Sequence, residues 1–298
     1  MENRKNVFPV AVVIPTYNHA HFLAEAIESI LGQTQQPEEV VVIDDGSTDR
    51  PEEVVAKFPN VRIVRQPNAG LAAARNRGVR ETLAPYLLFL DADDLLMPEA
   101  IASGMNSLLE DETAAFTYGA YQIVNSATGE RERVRFRSVP KLAFASFLRG
   151  NQIGMHGTVL YRRDALEQAG GFREQLCACE DYDLYLRLAL EHPVLCHEDI
   201  CAEYRQHDSN MSADPAFMLK AALGVLGDYR NEAQRGGFED DYRTGVLEWK
   251  SYYAGAWRGT IRRRPMNSVR TGLELLLIAP AMMIHEIAAA LRGRLSPR

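Results

Sequence analysis

The first 110 residues alternate between short apolar runs and amphipathic segments, and no other feature of the chain constrains the fold as strongly. The runs are four or five residues long and rich in β-branched or large apolar residues, which is typical of buried strands. They are Val10 to Ile14, Val40 to Ile43, Val61 to Val64 and Tyr86 to Leu90. Strands that alternate with helices form right-handed βαβ units, so this part of the chain is predicted to build a parallel sheet.

The remaining elements complete the predicted architecture. Helices are expected at His21 to Leu31, from about Pro51, at Leu71 to Glu81, from Pro98 to about Glu110 and at Asp183 to Leu190, and strands at Ala115 to Val124 and Thr158 to Tyr161. We expect an α/β fold whose mixed, mostly parallel sheet has helices on both faces. One domain is predicted over residues 1–212, with halves at 8–110 and 111–212, followed by a mostly helical region with a basic tail over 213–298.

Composition and charge exclude several kinds of protein. The 298 residues carry a net charge of −7, which argues against a nucleic-acid-binding surface. The polar start from Met1 to Val7 shows no signal peptide, and the longest uncharged apolar run, Leu275 to Ile284, is too short to span a bilayer. We therefore expect a cytoplasmic protein.

Four cysteines in a chain of this length do not indicate a disulfide scaffold. A structural zinc site is disfavoured because the spacing lacks two Cys-x-x-Cys pairs. The residues concerned are Cys177, Cys179, Cys196, Cys201, His192 and His197.

Polar clusters follow each of the four predicted strands. Because ligands of parallel sheets bind beyond the carboxyl ends of the strands, these clusters are expected to converge on one edge. They are Thr16-Tyr17-Asn18, Asp44-Asp45-Gly46-Ser47, Gln66-Pro67-Asn68 and Asp91-Ala92-Asp93-Asp94.

The acidic cluster after the fourth strand indicates a cation. If the segment is extended, Asp91 and Asp93 point to one side and Asp94 to the other. Carboxylates that close together repel one another, and a divalent cation relieves that cost. Oxygen ligands suit Mg²⁺ or Mn²⁺, which usually also hold substrate phosphates. The alternative is that these aspartates cap the next helix.

Four motifs, taken in order and spacing over residues 8–210, resemble family 2 glycosyltransferases of the GT-A fold. They are Val12 to Asn18, Val42 to Asp49, Asn68 to Asn76 and the Asp91-Ala92-Asp93 segment. The resemblance implies binding of a nucleoside-diphosphate sugar in the first half of the domain and of the acceptor in the second. It also implies Mn²⁺ or Mg²⁺ as cofactor.

The resemblance implies a role for each matching position. The base and ribose would be lined by Pro15, Thr16 and Tyr17. A carboxylate, that of Asp45 or less favourably Asp44, would accept a hydrogen bond from the base. The nucleotide would be flanked by Asn68 and Arg75, with Asp91 and Ala92 at the ribose. The metal bridging the diphosphate would be held by Asp93, Asp91 and His207, although His207 in a polar surface loop is the alternative.

A second acidic cluster precedes the helix predicted near residue 183. Asp183 is expected to cap that helix. The cluster resembles the family's Glu-Asp motif, which implies that Asp181 is the general base of an inverting enzyme and that Glu180 orients it or binds acceptor. His156 is a weaker candidate for the border of the acceptor pocket.

The resemblance implies transfer of a single sugar, most favourably from a UDP-sugar, to a hydroxyl of a glycan or lipid-linked glycan in cell-surface polysaccharide synthesis. The Gln-x-x-Arg-Trp motif of processive members is missing, which favours a single addition. A catalytically inactive nucleotide-sugar-binding or assembly module is the alternative. A dinucleotide-dependent oxidoreductase is disfavoured because no Gly-x-Gly-x-x-Gly turn follows the first strand.

The C-terminal region carries the opposite charge to the rest of the chain. Residues 258–298 contain eight Arg, no Lys and two Glu, a net charge of +6, so the remaining residues carry −13. Leu273 to Leu291 predicts an apolar helix bent at Pro280. Two interpretations stay open: peripheral contact with the inner face of the cell membrane, or packing on the catalytic body or on a second copy in a homo-oligomer.

Overall fold

The computed structural model describes residues 7–126, 128–132, 134–207, 214–263 and 265–295, and of 259–263, 265–267 and 290–295 it describes the backbone. The chain divides into two compact units. The first comprises Met1–Phe147 and Asn151–His207, and the second comprises Leu148–Gly150 and Asp208–Arg298. The C-terminal tail of the chain, residues 296–298, and Arg264 of the basic cluster lie outside the described residues.

The first unit is built on a mixed sheet that contains eight strands among the described residues. The strands are β1 (Val7–Thr16), β2 (Gln36–Asp44), β3 (Arg62–Arg65), β4 (Tyr86–Phe89), β5 (Leu95–Leu96), β6 (Phe116–Asn125), β7 (Val159–Arg162) and β8 (Val194–Gln206). Their order is β3-β2-β1-β4-β7-β6-β8-β5. The four strands from β3 to β4 are mutually parallel, as predicted. β7 pairs antiparallel with β4 and β6, and β5 pairs antiparallel with β8.

Helices connect the strands of this unit. They are α1 (Ala20–Leu31), α2 (Pro51–Val55), α3 (Leu71–Glu81), α4 (Ala100–Leu108), α5 (Phe144–Leu148), α6 (Arg163–Gln168) and α7 (Glu180–Glu191). A single 3₁₀ turn at His156–Thr158 leads into β7. The central strand β1 is buried on both faces, since Val10 to Ile14 are fully inaccessible to solvent. This explains why its sequence is apolar at every position rather than alternating.

Close packing of α3 on the sheet depends on a glycine. A Cβ placed on Gly78 would lie 2.2 Å from Cγ1 of Val13 on β1, which no side chain tolerates. The absence of a side chain lets the helix backbone approach the strand. The N-terminal end of α3, with Arg75 in its second turn, is thereby held close to the carboxyl end of β1.

The second unit is helical in its described residues. Its helices are α8 (Pro215–Asp228), α9 (Arg230–Gly236), α10 (Glu239–Arg263), α11 (Pro265–Ile278) and α12 (Pro280–Leu295). Asp214 caps α8 by accepting hydrogen bonds from the backbone N–H groups of Ala216 and Phe217. Ala279 separates α11 from α12, directly before Pro280, where the sequence predicted a bend. Among the described helices, none is both long and apolar enough to cross a membrane.

Candidate functional site

The loops that follow β1 and β2 are joined by hydrogen bonds between polar side chains and backbone. Asn18 has a positive φ of 56°, which asparagine tolerates, and its Oδ1 accepts from the N–H of Thr48 at 2.8 Å. Ser47 Oγ in turn accepts from the N–H of Asn18 at 3.0 Å, and Asp49 accepts from the N–H of Ala20 at 2.8 Å. Two of the predicted polar clusters therefore form one rigid rim at the carboxyl ends of adjacent parallel strands.

The residues predicted to contact the base and ribose lie at this rim with different accessibility. Pro15 and Thr16 end β1 and are buried, whereas the Tyr17 side chain beyond them is 49% exposed. Asn68 is exposed in the loop after β3. It borders an open cleft whose other lining residues are Gly46, Arg65, Gln66 and Pro67. This edge can accept a flat ring against Tyr17 without rearranging the core.

Asp45 holds the loop after β3 in place. Its Oδ1 accepts from Gln66 Nε2 at 2.8 Å and from the N–H of Ala69 at 2.9 Å, and its Oδ2 accepts from the N–H of Gly70 at 2.9 Å. Gly46 follows with a φ of +81°, and a Cβ there would lie 2.9 Å from the nitrogen of Asn68. Asp45 is thus a buried organiser of the rim.

Asp44, the less favoured candidate, is also buried and structural. Its Oδ1 accepts from the N–H of Ser47 at 2.8 Å, and its Oδ2 lies 3.4 Å from Nη1 of Arg65 on β3. Its carboxylate therefore ties β2 to β3 and to the turn that follows β2.

The segment after β4 is a turn, so the expectation that Asp91 and Asp93 lie on one side of an extended strand is wrong. The N–H of Asp94 donates to the carbonyl of Asp91 at 3.0 Å, which curls the chain before β5. The three carboxylates consequently have three different partners. Asp91 contacts Arg75, Asp93 contacts His207, and Asp94 accepts from the backbone N–H of Arg205 at 2.9 Å. Ala92 is buried between them.

Arg75 connects the segment after β4 to the second acidic cluster. Its side chain is 2% exposed, its Nη2 donates to Oδ1 of Asp91 at 2.8 Å, and its Nη1 donates to Oε1 of Glu180 at 2.5 Å. Burial alone would lower the pKa of Arg75, but the charges of Asp91, Glu180 and Asp181 outweigh it and raise that pKa above its ordinary value. The planar guanidinium suits this fork between two carboxylates.

Asp181 is a half-buried carboxylate next to this fork, at the start of α7. Burial, reinforced by the neighbouring charge of Glu180, raises the pKa of Asp181 to about 7, although Arg75 opposes the shift. One of its oxygens accepts from the N–H of Tyr182 at 2.7 Å. A carboxylate with this pKa can take a proton from a hydroxyl near neutral pH and hold it, as a general base requires.

Asp183 does not cap α7, contrary to the sequence-based expectation. The helix begins three residues earlier, after Cys179, which has a left-handed φ of +61°. Asp183 lies within the first turn and is fully buried between Arg173, at 3.0 Å, and Arg187, at 2.9 Å. The two arginines satisfy its charge, so its role is to anchor the helix.

His207 and Asp93 meet where β8 and β4 end. Nε2 of His207 lies 2.9 Å from Oδ2 of Asp93, and Nδ1 of His19 lies 4.0 Å from the same oxygen. The His207 ring stacks on Phe22 of α1 with ring centroids 4.9 Å apart. The side chain of His207 is 10% exposed, so the alternative of a surface histidine in a polar loop does not describe it.

Asp94 and Arg205 contact each other next to the Asp93–His207 pair. Burial and the charges of Asp93 and Asp91 raise the pKa of Asp94 well above its ordinary value, against the opposing influence of Arg205. Arg205 also donates to the carbonyl of Asp93, is paired with Glu25 and lies over the ring of Phe22. Glu25, Phe22 and Arg205 were not predicted from the sequence as site residues. Arg205 lies two residues before the predicted His207, and this proximity is its signal in the sequence.

His156 lies inside the first unit rather than at an open pocket. It is 5% exposed, is surrounded by aromatic rings, and its Nε2 lies 3.1 Å from the hydroxyl of Tyr161. Burial and the charge of Arg75 lower the pKa of His156 well below the ordinary value, which favours the neutral imidazole. Its contacts are those of a core residue.

The described side chains offer few ligands to a divalent cation. Within the described residues no three His, Cys, Asp or Glu side chains form a group that could hold a metal, and this includes Asp91, Asp93 and His207 together as well as the cysteine region. The adjacent Asp93 carboxylate and His207 imidazole form a two-residue donor set. Such a set fits a Mg²⁺ or Mn²⁺ ion that takes its other ligands from water and substrate phosphates.

A known protein family matches the part of the chain that carries most of these residues. The family model described as Glycosyl transferase family 2 matches residues 11–170, which include the polar clusters after all four parallel strands. The four motifs that resemble family 2 glycosyltransferases, between Val12 and Asp93, also lie within this range.

Individual proteins show the same similarity. The Escherichia coli UDP-Glc:alpha-D-GlcNAc-diphosphoundecaprenol beta-1,3-glucosyltransferase WfgD is 30% identical over 227 residues, which cover 74% of this chain and 86% of that protein. Chondroitin synthase of Pasteurella multocida is 31% identical over 68% of this chain, and a glycosyltransferase of Rickettsia felis is 29% identical over 68%. The matches span only 21% and 35% of the length of these two proteins, respectively.

Solved structures share the fold over nearly the whole chain. S. aureus TarS 1-349 in complex with UDP-GlcNAc superposes with a TM-score of 0.65 at 19% identity, covering 97% of this chain and 93% of that one. The mannosyltransferase PcManGT of Pyrobaculum calidifontis, in complex with GDP-Man and Mn²⁺, gives a TM-score of 0.62 at 18% identity, covering 100% and 92%. These similarities confirm the predicted α/β fold of GT-A type with helices at the C-terminal end.

Proposed function

This chain belongs to glycosyl transferase family 2, and on that premise we propose that it transfers a single sugar, with inversion, from a UDP-sugar to a hydroxyl of a glycan or lipid-linked glycan. The observation that carries the proposal is the fork of Arg75. It joins Asp91, at the end of β4, to the acidic cluster of Asp181 at the start of α7. Donor-binding and base residues are thereby held at one site.

The donor assignment is supported by the rim. The base and ribose would lie along Pro15, Thr16 and Tyr17, and Asn68 would approach the nucleotide from the opposite loop. Because Asp45 already accepts three hydrogen bonds, we assign it the positioning of that loop, with any contact to the base secondary. TarS and PcManGT were solved with UDP-GlcNAc and GDP-Man, respectively, and the WfgD name specifies a UDP-sugar.

The base in this proposal is Asp181. The acceptor O–H gives its proton to Asp181 as the oxygen forms a bond to the anomeric carbon, and the bond from that carbon to the diphosphate oxygen breaks. Attack opposite the leaving group inverts the configuration. Glu180 is held by Arg75, so its role is to raise the proton affinity of Asp181 and fix its position.

Asp93 and His207 are the residues we assign to the metal, with Asp91 adjacent but held by Arg75. A bound Mn²⁺ or Mg²⁺ would stabilise the negative charge that develops on the leaving diphosphate. The chain itself contributes the rigidity of this pair, since Phe22 stacks on the imidazole and Arg205 holds the backbone of Asp93.

Two relatives support the proposed acceptor and pathway. The WfgD name specifies an alpha-D-GlcNAc-diphosphoundecaprenol, and the Pasteurella multocida relative is named as a chondroitin synthase. We extend these to a glycan or lipid-linked glycan acceptor in cell-surface polysaccharide synthesis. Single addition remains preferred because the sequence lacks the Gln-x-x-Arg-Trp motif.

The test is release of UDP from a panel of UDP-sugars with Mn²⁺ present and water as acceptor. Asp181→Asn is expected to lower the rate by about 10²-fold or more while leaving the Kd for UDP unchanged. Asp164→Asn is the matched control, since Asp164 also lies in the first turn of a helix and accepts from the next N–H, at 2.8 Å. Tight UDP binding without release from any donor would instead favour an inactive binding module.

A further inference from the structure

The C-terminal helix α11 presents apolar side chains on its solvent face. Val269, Leu273 and Leu277 follow one another at intervals of four residues, so they lie along one side of the helix. They are 64%, 61% and 85% exposed. We call these three residues the outer stripe. Three large apolar side chains in a row differ from the single exposed ones that any surface carries.

The opposite face of α11 is buried within the second unit. Trp257 of α10 donates from Nε1 to the carbonyl of Ser268 at 2.7 Å. Gly272 lies so close to the same ring that a Cβ would be 2.8 Å from it, and Leu275 is fully buried. The helix is therefore fixed by one face, and the outer stripe is not required for its packing in this unit.

Basic residues flank the stripe in the sequence, and the acidic ones near it are neutralised. The region 258–298 has two glutamates. Glu274 is paired with Lys220 at 2.6 Å and with Arg270 at 3.2 Å, and Glu286 is paired with Arg258 at 3.2 Å. Six further arginines precede or follow the apolar segment: Arg262, Arg263, Arg264, Arg292, Arg294 and Arg298.

The geometry points to an anionic lipid surface as the occupant of the outer stripe. A helix that lies in the membrane interface inserts an apolar side and keeps arginines level with the headgroups. The net charge of +6 over residues 258–298 is attracted to anionic lipid and falls within the region that carries the stripe.

A second copy of the chain fits this surface less well. A two-fold symmetric contact places the same patch against itself, so a +6 region would face a +6 region. Ile284 of α12, beyond the break at Ala279, is a further exposed apolar side chain, at 63%.

Vesicle sedimentation tests the inference without any donor or acceptor, so its outcome is separate from that of the transfer reaction. The full chain is expected to sediment with vesicles of equal phosphatidylglycerol and phosphatidylcholine in 0.1 M NaCl. It should remain in the supernatant with phosphatidylcholine alone, and 0.5 M NaCl should release it.

The double variant Leu273→Glu/Leu277→Glu is expected to weaken vesicle binding at least tenfold. Leu83→Glu/Leu142→Glu is the matched control, because these leucines are 89% and 78% exposed in the first unit, and it should bind as the parent does. Unchanged thermal unfolding establishes that the variants are folded. Arg292→Ser/Arg294→Ser, which removes two positive charges and leaves the outer stripe unchanged, should also weaken binding and provides a second test.

Equal sedimentation of the parent and the stripe variant would overturn the inference, and so would no sedimentation of the parent. If the parent fails to bind vesicles and instead forms a dimer in light scattering that the stripe variant abolishes, the stripe belongs to a contact between copies.

Discussion

The guanidinium of Arg75 lies 2.5 Å from the carboxylate of Glu180, although 105 residues separate them in the sequence. Through this contact the second turn of α3 is joined to the first turn of α7. The same guanidinium contacts Asp91, which follows β4, so three separate elements meet at one buried arginine side chain. The candidate base Asp181 is adjacent to Glu180, so the contact between Arg75 and Glu180 also fixes the position of Asp181.

Removing the positive charge of Arg75 should destabilise the fold. Arg75→Met leaves Glu180 and Asp91 without their counter-charge, and losing one partner of a buried ion pair typically costs about 3–5 kcal/mol. Urea unfolding measures the loss. Arg77→Met on the same helix is the control, because Arg77 is 41% exposed and pairs with Glu81 at i,i+4, so we expect a change of about 0.5 kcal/mol or less. Equal effects of the two variants would contradict this role of Arg75.

Asp45→Asn should weaken both stability and UDP binding. An asparagine amide can replace one accepting oxygen but directs its own N–H₂ at the N–H of Gly70 or at the Gln66 and Ala69 donors. We expect a loss of about 1–3 kcal/mol, measured by urea unfolding, and a raised Kd for UDP. Asp49→Asn disturbs the hydrogen bond that the exposed residue Asp49 accepts from the N–H of Ala20, and it should cost about 1 kcal/mol or less. An Asp45→Asn variant with the stability and the UDP affinity of the parent would contradict the role of Asp45 in organising the rim.

Asp181→Asn should stabilise the protein, and more so at alkaline pH. The folded-state pKa of about 7 lies above the ordinary value near 4, so ionising Asp181 opposes folding. This destabilisation grows as the pH rises from about 4 to about 7 and is constant above that range. Melting temperatures of variant and parent should therefore differ by several degrees at pH 8 and by less at pH 5. A variant that melts below the parent at both pH values would show that ionised Asp181 does not destabilise the folded protein.

The same pKa sets the pH dependence of UDP release. Protonated Asp181 cannot accept a proton, so kcat/KM is expected to fall about tenfold per pH unit below about pH 7. Rates measured from pH 5 to 9 check this, with UDP affinity measured in parallel at each pH. A rate that is flat from pH 5 to 7 would exclude Asp181 as the base.

Gly78→Ala tests the packing of α3 on the sheet. Its new methyl group meets Val13 within β1, and overpacking of a core costs about 1–3 kcal/mol. Gly224→Ala in α8 is the matched control, because a Cβ there meets nothing within 4 Å and should stabilise the helix by up to about 1 kcal/mol. Thermal or urea unfolding distinguishes the two signs, and a Gly78→Ala variant as stable as the parent would contradict the close approach.

The parallel half of the sheet could be predicted because its signals are local. Val10 to Ile14 is apolar at every position, and Leu71 to Glu81 is the exact span of the α3 helix that the spacing predicted. Polar clusters that follow parallel strands must share an edge, so the rim also followed from the order of elements.

Other features depend on contacts between distant residues and carry no local signal. β8 includes the charged stretch from His197 to Asp199, which interrupts any apolar run, and it is held as a strand by pairing with β6. The turn at Asp91–Asp94 is determined by Arg75, His207 and Arg205, whose positions relative to it no spacing reveals. The same holds for Glu25 and Phe22, which reach the site only because α1 packs beside β5.

The most direct test of the account is calorimetric titration of UDP with and without Mn²⁺. If Asp93 and His207 hold the cation that binds the diphosphate, Mn²⁺ should tighten UDP binding in the parent and in Asp240→Asn, whose carboxylate is 97% exposed. In Asp93→Asn the gain from Mn²⁺ should fall at least tenfold. UDP binding that is the same with Mn²⁺ as with EDTA in the parent, or a full Mn²⁺ effect in Asp93→Asn, would contradict the account.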